Sequence, residues 1–477
     1  MADRKPLILD ADGTFLKTDM LVESFWAGLG TAPFKTLGAV FRHFRAPARL
    51  KAALFEIAPI RADLLPINGE IAAIAQGARE EGREVILASA SDARLVEALA
   101  DAHGMDGWMG STPDHNLKGA SKAAALTEYY GKGGYIYAGD SRADMPVWHD
   151  ASHAVVVGRA GGAAQKLQSS GKGVTQIKSG WRIADLLRAI RPHQWVKNVL
   201  LFLPAIAAHQ FNYDTLWLVL AGIAAFSAAA SSIYVVNDLL DLEADRLHPK
   251  KCRRPFASGA VPIGVGMASA FLLGVAALLG GAMLGAGFLL VLAVYMALSL
   301  AYSLRLKRMR WIDIFTLATL YTLRVVAGAE ASGVDTSIYM LIFIFPIFVT
   351  LGCVKRLTEL TLATSDERLP GRGYGRPDRP DLLNVASLGM VGALVIFFLY
   401  SLSAQALELY PSRWLLWVAL VPISLWLFRM VRLGWQGKQD YDPIVFALRD
   451  KQGLGLLMIT LALMFYAAGL VQQWFGF

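Results

Sequence analysis

The pattern of hydrophobic and polar positions changes near residue 180. Before it, short apolar runs such as Leu7–Leu9 and 85–87 alternate with charged, helix-like stretches, which is typical of an α/β domain. After Trp195, long apolar segments follow one another, and most are long enough to cross a bilayer. We expect nine transmembrane helices, at about 196–209, 216–236, 262–282, 284–302, 312–329, 337–354, 385–404, 413–431 and 453–472. The pattern predicts a Rossmann-like α/β domain followed by an all-α integral membrane domain.

Positive charge alternates between the connections of the apolar half. The connections 237–261, 303–311, 355–383 and 429–452 hold 5, 4, 6 and 5 Lys or Arg residues, whereas 210–215, 283, 330–336 and 405–412 hold none. Because cytoplasmic loops carry the excess of Lys and Arg, we expect a multi-pass protein of the bacterial inner membrane. Its N-terminal domain is then cytoplasmic, in agreement with a first stretch that lacks the apolar core of a signal peptide, and its C-terminus is outside.

Composition narrows the chemistry further. The net charge of +8 is explained by membrane orientation and phosphate binding, so no nucleic-acid partner is predicted. The two cysteines, Cys252 and Cys353, imply neither a disulfide framework nor a thiolate metal site. The sequence allows a homo-oligomer but does not specify one.

Candidate catalytic groups of the α/β half fall at the ends of predicted strands. Asp10 and Asp12 follow the first strand, and side chains two apart on a strand share one face. Gly13 next to them allows a tight turn. Because open α/β sheets bind ligands at the carboxyl ends of their strands, we expect one site that includes Asp10, Asp12, Ser89, Lys122, Asp140 and Asp144.

Over about residues 5–160 these motifs resemble the haloacid dehalogenase superfamily of aspartate-nucleophile phosphatases. The resemblance implies that Asp10 forms an aspartyl-phosphate and that Asp12 is the general acid and base. It assigns phosphoryl binding to Ser89 and Lys122, with Lys118 as a weaker substitute for Lys122, and Mg²⁺ binding to Asp10, Asp12, Asp140 and Asp144. The alternative is a degenerate domain that is retained for stability or membrane docking.

The domain boundaries follow from composition and helical periodicity. We expect a phosphatase-like domain at 1–160, with a small helical cap at about 19–80. A linker with an amphipathic stretch follows at 161–190, and the membrane domain occupies 191–477. Five aromatic and basic residues of the cap are expected to pack inside it, with contact to the bilayer surface as the alternative: Phe34, Phe41, Arg42, Phe44 and Arg45.

A polar stretch after the second apolar segment carries the other candidate chemistry. Asp238, Asp241 and Asp245 recur at i, i+3 and i+7, so on a continuing helix their carboxylates fall on one face. Hard carboxylate oxygens suit Mg²⁺, which takes further ligands from substrate phosphates. The basic residues that follow, Lys250, Arg253 and Arg254, are placed to neutralise those phosphates. The alternative is a solvated, salt-bridged loop.

Polar residues inside or capping apolar spans are costly, so they are functional candidates. They are Lys197, Asn198, Tyr302, Lys307, Asp313, Arg324 and Lys355, with Arg356 and Glu359 on the same cytoplasmic side. Taken singly, each is more readily explained as an interfacial anchor. Their occurrence at several helix ends favours a common site.

The predicted spans, Asn237 with the three aspartates, and Arg254-Pro255 together resemble the UbiA-type prenyltransferase superfamily over about residues 185–475. The resemblance adds Asn237 to the Mg²⁺ ligands Asp238, Asp241 and Asp245. Aromatic-prenylating members usually carry a second DxxxD motif, but here Asp313 is followed by Leu317, so a second metal is in doubt. Four stretches are instead similar to the phosphoribosyl-transferring branch: 191–198, 243–249, Tyr302-Ser303 with Lys307, and Asp442-Pro443 with Arg449-Asp450.

That branch implies a two-step, Mg²⁺-dependent enzyme. The membrane domain would transfer 5-phosphoribose from phosphoribosyl pyrophosphate to a polyprenyl phosphate, with Asp238 and Asp241 at the pyrophosphate. Lys197, Lys307 and Lys355 would hold the lipid phosphate or the ribose 5-phosphate, with Tyr302 and Arg324 near them. The α/β domain would then remove the 5-phosphate. The alternatives are an aromatic prenyltransferase with an independent phosphatase, and a lipid-binding scaffold with two inactive sites.

Overall fold

The protein is described here by a computed structural model that covers residues 5–158, 160–334, 337–369, 371–439 and 442–476. Its strands are β1 Leu7–Leu9, β2 Val85–Asp92, β3 Gly107–Ser111, β4 Ile136–Gly139, β5 His153–Val157 and β6 Val174–Ile177. Its helices as far as α12 are α1 Met20–Thr31, α2 Pro33–His43, α3 Pro47–Ile57, α4 Gly69–Glu80, α5 Ala93–Ala102, α6 Ala120–Tyr130, α7 Met145–Asp150, α8 Ala163–Ser169, α9 Ile183–Ala189, α10 Leu203–Ala207, α11 Tyr213–Leu240 and α12 Leu242–Leu247. The remaining helices are α13 Ile263–Leu284, α14 Ala286–Leu304, α15 Ile312–Ser332, α16 Ile338–Thr361, α17 Arg379–Ser401, α18 Ala404–Leu409, α19 Trp414–Trp435, α20 Pro443–Ala447, α21 Lys451–Ala467 and α22 Leu470–Phe475.

The chain divides into two compact units that are interleaved in sequence. The first unit comprises the chain up to Ile190 together with Tyr234–Ala270, and the second comprises Arg191–Ile233 and the chain from Phe271 onwards. The first unit therefore includes the end of α11, the acidic motif and the start of α13. This division differs from a simple boundary near residue 190, and the predicted domain limits stay a prediction.

The first unit is built on a parallel sheet. In the described residues it has six strands in the order β3-β2-β1-β4-β5-β6, which agrees with the predicted Rossmann-like α/β fold. Central β1 pairs with β2 and β4 in register, Ile8 lying beside Ile86 and Tyr137. Ile8 is fully buried because helices cover both faces, which explains the continuous apolar runs of these strands.

Three helices, α1 to α3, are inserted between β1 and α4. Pro33 and Pro47 stand at the first turns of α2 and α3, where the missing N–H costs nothing. The helical cap expected at about 19–80 thus contains separate short helices. The expectation that the aromatic residues pack inside this cap is wrong, because the side chains of Phe34, Phe41 and Phe44 are 88%, 80% and 65% exposed.

The same insertion packs against the second stretch of its own unit. Trp26 of α1 belongs to a buried cluster, named here the Trp26 cluster, whose other members are Ala189, Val235, Leu239, Leu242, Phe256, Val261, Ile263 and Ala270. Beside it, Arg246 of α12 donates to Glu23 of α1 at 2.5 and 3.1 Å, and both side chains are buried. Apolar packing and a buried ion pair thus join α1 to the acidic motif.

The membrane helices agree in kind with the prediction but not in number. Within the described part of the chain, seven helices are long and apolar enough to cross a membrane: α11, α13, α14, α15, α16, α17 and α19. The first expected span is a 3-10 helix, Pro192–Phe202, followed by the five-residue α10, and the last is the 17-residue α21. The count of nine is not confirmed.

Candidate active sites

The first site lies at the carboxyl ends of β1 and β4 in the first unit. The backbone N–H of Asp10 donates to the carbonyl of Ala138 at 2.9 Å, so Asp10 and Asp140 leave adjacent strands side by side. Between them, Gly13 has a φ of +74°, and a Cβ there would lie 2.2 Å from Oδ2 of Asp140. Only glycine permits this close approach.

A buried lysine joins the acids of this site. Nζ of Lys122 donates to Oδ1 of Asp10 at 2.8 Å and to the hydroxyl of Tyr137 at 3.0 Å. Tyr137 donates in turn to Asp144 at 2.9 Å, and Asp144 also accepts from the N–H and hydroxyl of Ser141. Burial raises the pKa of Asp10 to about 6, against the opposing effect of Lys122. Exposed Lys118 lines the same cavity.

Asp12 is held differently from Asp10. Its Oδ1 accepts from the N–H of Met20 at 2.8 Å, and its Oδ2 accepts from the hydroxyls of Ser91 at 2.8 Å and Ser89 at 3.3 Å. Burial, with the nearby Asp19 carboxylate, raises the pKa of Asp12 to about 7. A carboxyl group that carries a proton near neutral pH suits a general acid. Ser91 was missed in the sequence, although it follows Ser89 on the same face of β2.

The donor atoms at this site fit a magnesium ion. Asp10, Asp140 and Asp144 each offer a carboxylate oxygen within 4.8 Å of the others, and no second such group of His, Cys, Asp or Glu occurs among the residues described. Hard oxygen donors of this kind suit Mg²⁺. Burial raises the pKa of Asp140 to about 7, helped by the Asp10 carboxylate, so a bound cation would relieve crowded negative charge. Asp12 lies outside this group.

These residues open into a cavity of about 1000 Å³ within the first unit. Besides Lys122, its lining includes four lysines that suit an anionic ligand: Lys17, Lys51, Lys118 and Lys178. The lining also includes Gly259 and the residues from Pro262 to Gly264, where the membrane helix α13 begins. The lining of this cavity thus includes the start of a candidate membrane span.

The second candidate site is the acidic motif at the end of α11. The assigned helix ends at Leu240, but helical backbone bonds continue from Asp241 N–H to Asn237 and from Asp245 N–H to Asp241. The guanidinium of Arg254 donates to Asp238 at 3.0 Å and to Asp245 at 2.7 Å, and both carboxylates are buried. Burial raises the pKa of Asp245 while Arg254 opposes the shift.

The structure thus places the Arg254 guanidinium between two of the four predicted metal ligands. Carboxylate oxygens held this way fit Mg²⁺ by their chemistry, and a metal ion would compete with the guanidinium for them. Asp241 and Asn237 are half-buried, whereas Lys250 and Arg253 are exposed. Arg254 is therefore brought to the motif, and Lys250 and Arg253 lie in solvent-accessible positions beyond it.

In the second unit, the predicted site residue Lys197 pairs with an aspartate that lies between α19 and α21. Lys197 forms a buried ion pair with Asp442, which also accepts from the Tyr321 hydroxyl at 3.2 Å and caps α20. The ammonium groups of Lys197 and Lys355 lower the pKa of Asp442 to about 2, although burial acts to raise it. The sequence pointed to Asp442 as part of the Asp442-Pro443 stretch but did not predict it as a site residue.

A second buried polar cluster surrounds Asp313. Nε of Arg356 donates to Oδ2 of Asp313 at 2.5 Å, and neither side chain is exposed to solvent. Tyr302 donates to Oδ1 of Asp313 at 2.8 Å, and Arg372 contacts both Tyr302 and Asp313. Arg372 was missed because it lies in a loop with six basic residues and no periodicity to single it out.

Two of the remaining predicted residues, Asn198 and Arg324, belong to a third polar network. Nε of Arg324 donates to Asn198 at 3.1 Å, Asn198 donates to Ser227 at 2.8 Å, and Arg324 also donates to the Tyr295 hydroxyl at 2.9 Å. Lys307 is buried in the 3-10 helix after α14. The structure thus joins Asn198 to Arg324, Lys197 to Asp442, and Tyr302 to Asp313.

Comparison with known proteins covers both halves of the chain. The profile of the UbiA prenyltransferase family matches residues 198–449. An uncharacterized protein of Sinorhizobium fredii, y4nM, is 35% identical over 457 residues, covering 94% of this chain and 88% of its own. The decaprenyl-phosphate phosphoribosyltransferase of Mycobacterium tuberculosis is 34% identical over 281 residues, covering 56% of this chain and 89% of its own.

Solved structures with similar folds are distant. A UbiA homolog from Archaeoglobus fulgidus bound to GPP and Mg²⁺ is 16% identical, with a TM-score of 0.47, and covers 60% of this chain and 99% of its own. A HAD family hydrolase from Salmonella enterica covers 32% of this chain and 63% of its own, at 15% identity and a TM-score of 0.25.

Proposed function

Because the chain belongs to the UbiA prenyltransferase family, we propose that its membrane domain transfers 5-phosphoribose from phosphoribosyl pyrophosphate to a polyprenyl phosphate. We further propose that its sheet domain removes the 5-phosphate from the lipid-linked product. The first step is supported by the likeness to the decaprenyl-phosphate phosphoribosyltransferase of Mycobacterium tuberculosis, which covers most of that protein. The second is supported by the arrangement of Asp10, Asp12 and Lys122.

The observation that carries the choice of donor is the state of Asp313. An aromatic prenyltransferase that binds a polyprenyl diphosphate usually needs a second acidic motif for a second metal ion. Here the Asp313 carboxylate is bound by Arg356 and Tyr302 and approached by Arg372, and the expected second aspartate is Leu317. Because Leu317 stands where the second aspartate would be, Asp313 lacks the carboxylate partner of a DxxxD motif, which favours a single-metal transferase.

In the transfer step, Asp238, Asp241, Asp245 and Asn237 are the proposed Mg²⁺ ligands. Bound there, Mg²⁺ would neutralise the pyrophosphate that leaves from the ribose C1. Arg254 exchanges its two carboxylates for pyrophosphate oxygens, so its charge is retained where negative charge develops. The C1–O bond to pyrophosphate breaks and a bond to an oxygen of the lipid phosphate forms. That oxygen is already anionic, so no strong general base is required.

Basic side chains of the second unit are proposed to hold the other phosphates. The two positive charges of Lys197 and Lys355 face the single negative charge of Asp442, whose pKa stays at about 2. A further anion that binds these lysines must therefore compete with the Asp442 carboxylate. A lipid phosphate or a ribose 5-phosphate meets this condition. Lys307, Tyr302 and Arg324 remain candidates for the same task.

In the hydrolytic step, the carboxylate of Asp10 attacks phosphorus and the P–O bond to the ribose C5 oxygen breaks. Asp12 donates its proton to that leaving oxygen and then removes a proton from the water that cleaves the aspartyl-phosphate. Lys122 holds the phosphoryl oxygens and orients Asp10. Asp10, Asp140 and Asp144 are the proposed Mg²⁺ ligands, and bound there Mg²⁺ would offset the charge of the phosphoryl group.

The cavity of the first unit supports a lipid-linked substrate for this phosphatase. Its lining includes the start of α13, a candidate membrane span, and several lysines besides Lys122. A substrate that is anchored by a polyprenyl chain stays at the membrane surface, where this opening has access to it. Fusion of the two activities then keeps the intermediate at a high effective concentration.

The test is incubation of purified protein with labelled phosphoribosyl pyrophosphate, polyprenyl phosphate and Mg²⁺, followed by chromatography of the lipid fraction. We expect lipid-linked ribose from the wild type, lipid-linked phosphoribose from Asp10→Asn, and neither from Asp238→Asn. Asp114→Asn, at a side chain that is 87% exposed, is the matched control. If no label enters the lipid with any variant while an aromatic acceptor is prenylated, the donor assignment is wrong.

A further inference from the structure

The helix α2 of the first unit carries an apolar stripe that the rest of the described protein leaves uncovered. Phe34, Leu37, Phe41 and Phe44 follow one another at spacings of three, four and three residues, so they share one helical face. Three of them are more than half exposed, and Leu37 is 43% exposed. Contiguous exposed aromatic surface on one face indicates an interaction surface rather than scattered exposure.

Basic side chains lie along one border of this stripe. Lys35 and Arg42 are exposed and fall together on the adjacent helical face. Arg45 follows the helix end, and its guanidinium stacks over the Phe44 ring at 5.1 Å. A short helix with aromatic residues on one face and Lys or Arg beside them is typical of segments that lie in the interface of an anionic membrane.

The position of α2 within its unit supports the same partner. Trp26 of the preceding α1 packs in the Trp26 cluster with residues from α11 and α13, two of the candidate membrane spans. A Cβ on Gly30 would lie 3.6 Å from the carbonyl oxygen of Leu240, the last residue of α11. Gly28 of α1 is in close contact with Thr36 of α2, and one residue, Ala32, separates the two helices. The insertion is thus fixed beside the ends of two spans.

From these observations we propose that α2 is a membrane-surface anchor, whose Phe34, Phe41 and Phe44 side chains insert into the headgroup region while Lys35, Arg42 and Arg45 bind anionic lipid headgroups. The cytoplasmic leaflet supplies such headgroups. The anchor holds the insertion, and with it the N-terminal end of α1 beside Asp12, at the membrane surface. Binding of α2 to the membrane depends on its own exposed aromatic and basic side chains and not on which phosphate the neighbouring site cleaves.

The direct test measures the depth of a spin label in full-length protein. In a Cys252→Ser background, where Cys353 is buried, a nitroxide is attached to Phe41→Cys or, as a control, to Tyr129→Cys on α6, a site that is 73% exposed. The protein is placed in nanodiscs of equal parts phosphatidylcholine and phosphatidylglycerol. We expect the label at 41 about 5–10 Å below the headgroup surface and the label at 129 in water. Equal access of a water-soluble nickel chelate to both labels would overturn the proposal, as would exclusion of oxygen and nickel alike from position 41, which means that protein covers it.

The lipid preference is tested with the charge reversal Lys35→Glu/Arg42→Glu. We expect this variant to lose the depth of the label at 41 in the anionic nanodiscs, and the unreversed protein to show a shallower label in pure phosphatidylcholine. Hydrolysis of p-nitrophenyl phosphate serves as the control for folding, and its rate should be the same for the charge-reversal variant and the unreversed protein. An insertion depth that is the same with and without anionic lipid, or with and without the two basic residues, contradicts recognition of anionic headgroups.

Discussion

In the sheet domain, residues of the same type differ in their chemistry because they have different neighbours. Asp10 and Asp12 are two residues apart, yet one is bound to Lys122 and the other to serine hydroxyls and a helix N–H. Burial then raises the pKa of both, to about 6 and about 7. Two carboxylates with different neighbours can take different roles, as nucleophile and as proton donor.

Gly13 provides a test at this scale. Gly13→Ala and Gly171→Ala both place a side chain at a positive φ, of 74° and 79°, which costs about 1 kcal/mol. Only at Gly13 would the new Cβ strike Asp140, because nothing lies within 4 Å of one at Gly171. We expect phosphatase turnover to fall about 100-fold in Gly13→Ala and to stay near wild type in Gly171→Ala, measured with a soluble phosphate ester. Similar activities would show that the approach of Asp140 is not required.

Arg356 provides a second test. Arg356→Met leaves the fully buried Asp313 without its main counter-charge, which should cost about 3–5 kcal/mol and lower the melting temperature in detergent. Arg310→Met removes an arginine from a more exposed pair with Asp378 and Asp381 and should change the melting temperature little. The double variant Asp313→Leu/Arg356→Met should recover part of the loss. If Arg356→Met melts like the wild type, Asp313 is neutralised in another way.

At the scale of elements, short connections decide where side chains point. The acidic motif spans the end of α11 and the short α12, yet its backbone continues in helical hydrogen bonds, so Asp238 and Asp245 reach the same guanidinium. The insertion α1 is joined to this motif by the Glu23–Arg246 pair, and Glu23 also accepts from Thr18, which lines the cavity at Asp10 and Asp12. One buried ion pair therefore links the supports of both candidate sites.

Removal of this pair should affect the transferase motif. In Glu23→Gln, the buried Arg246 keeps its charge without a carboxylate, at a cost of about 3 kcal/mol, and Asp245 beside it loses its fixed position. We expect phosphoribosyl transfer to fall about 10- to 100-fold, as when outer partners of metal ligands are removed. A double-mutant cycle with Arg246→Met should show coupling. The exposed Arg61–Asp63 pair of the same unit is the control, and equal effects of Arg61→Ala and Glu23→Gln would contradict the assignment.

For the whole molecule, the interleaving of the two units matters most. The first unit is completed by Tyr234–Ala270, which supplies most of the partners of Trp26 in its cluster. A domain that ended near residue 190 would leave this apolar surface open to water. The segment Tyr234–Ala270, which contains the ends of two candidate spans, is thus part of the packed core of the sheet domain.

A truncation tests this dependence. A fragment that ends at Ile190 should expose Trp26, which loses most of its cluster, and should associate. The same fragment with Trp26→Ser should be more often monomeric in size-exclusion chromatography. Helical and strand content by circular dichroism controls for loss of the sheet. A wild-type fragment that is monomeric and binds no hydrophobic dye would mean that Tyr234–Ala270 is dispensable for the sheet domain.

Much of the architecture could be predicted from local pattern. The apolar runs predicted β1 at its observed bounds and β2 from its first residue, because strands buried on both faces are continuously apolar. The long membrane helices were also predicted, from their apolar composition. The count of nine was not confirmed because length and hydropathy do not reveal that Pro192–Phe202 forms a 3-10 helix or that α21 has 17 residues.

By itself, the sequence determined which chemistries the chain can hold: paired aspartates after a strand, a spaced aspartate motif, and basic groups at the ends of apolar helices. Only the tertiary structure decided the pairing. It placed Arg254 between Asp238 and Asp245, bound Asp313 to Arg356, and left Phe34, Phe41 and Phe44 exposed. The physical reason is that residue spacing governs contacts within one helix or strand, whereas ion pairs between distant segments and the burial of a helical face depend on which elements pack together.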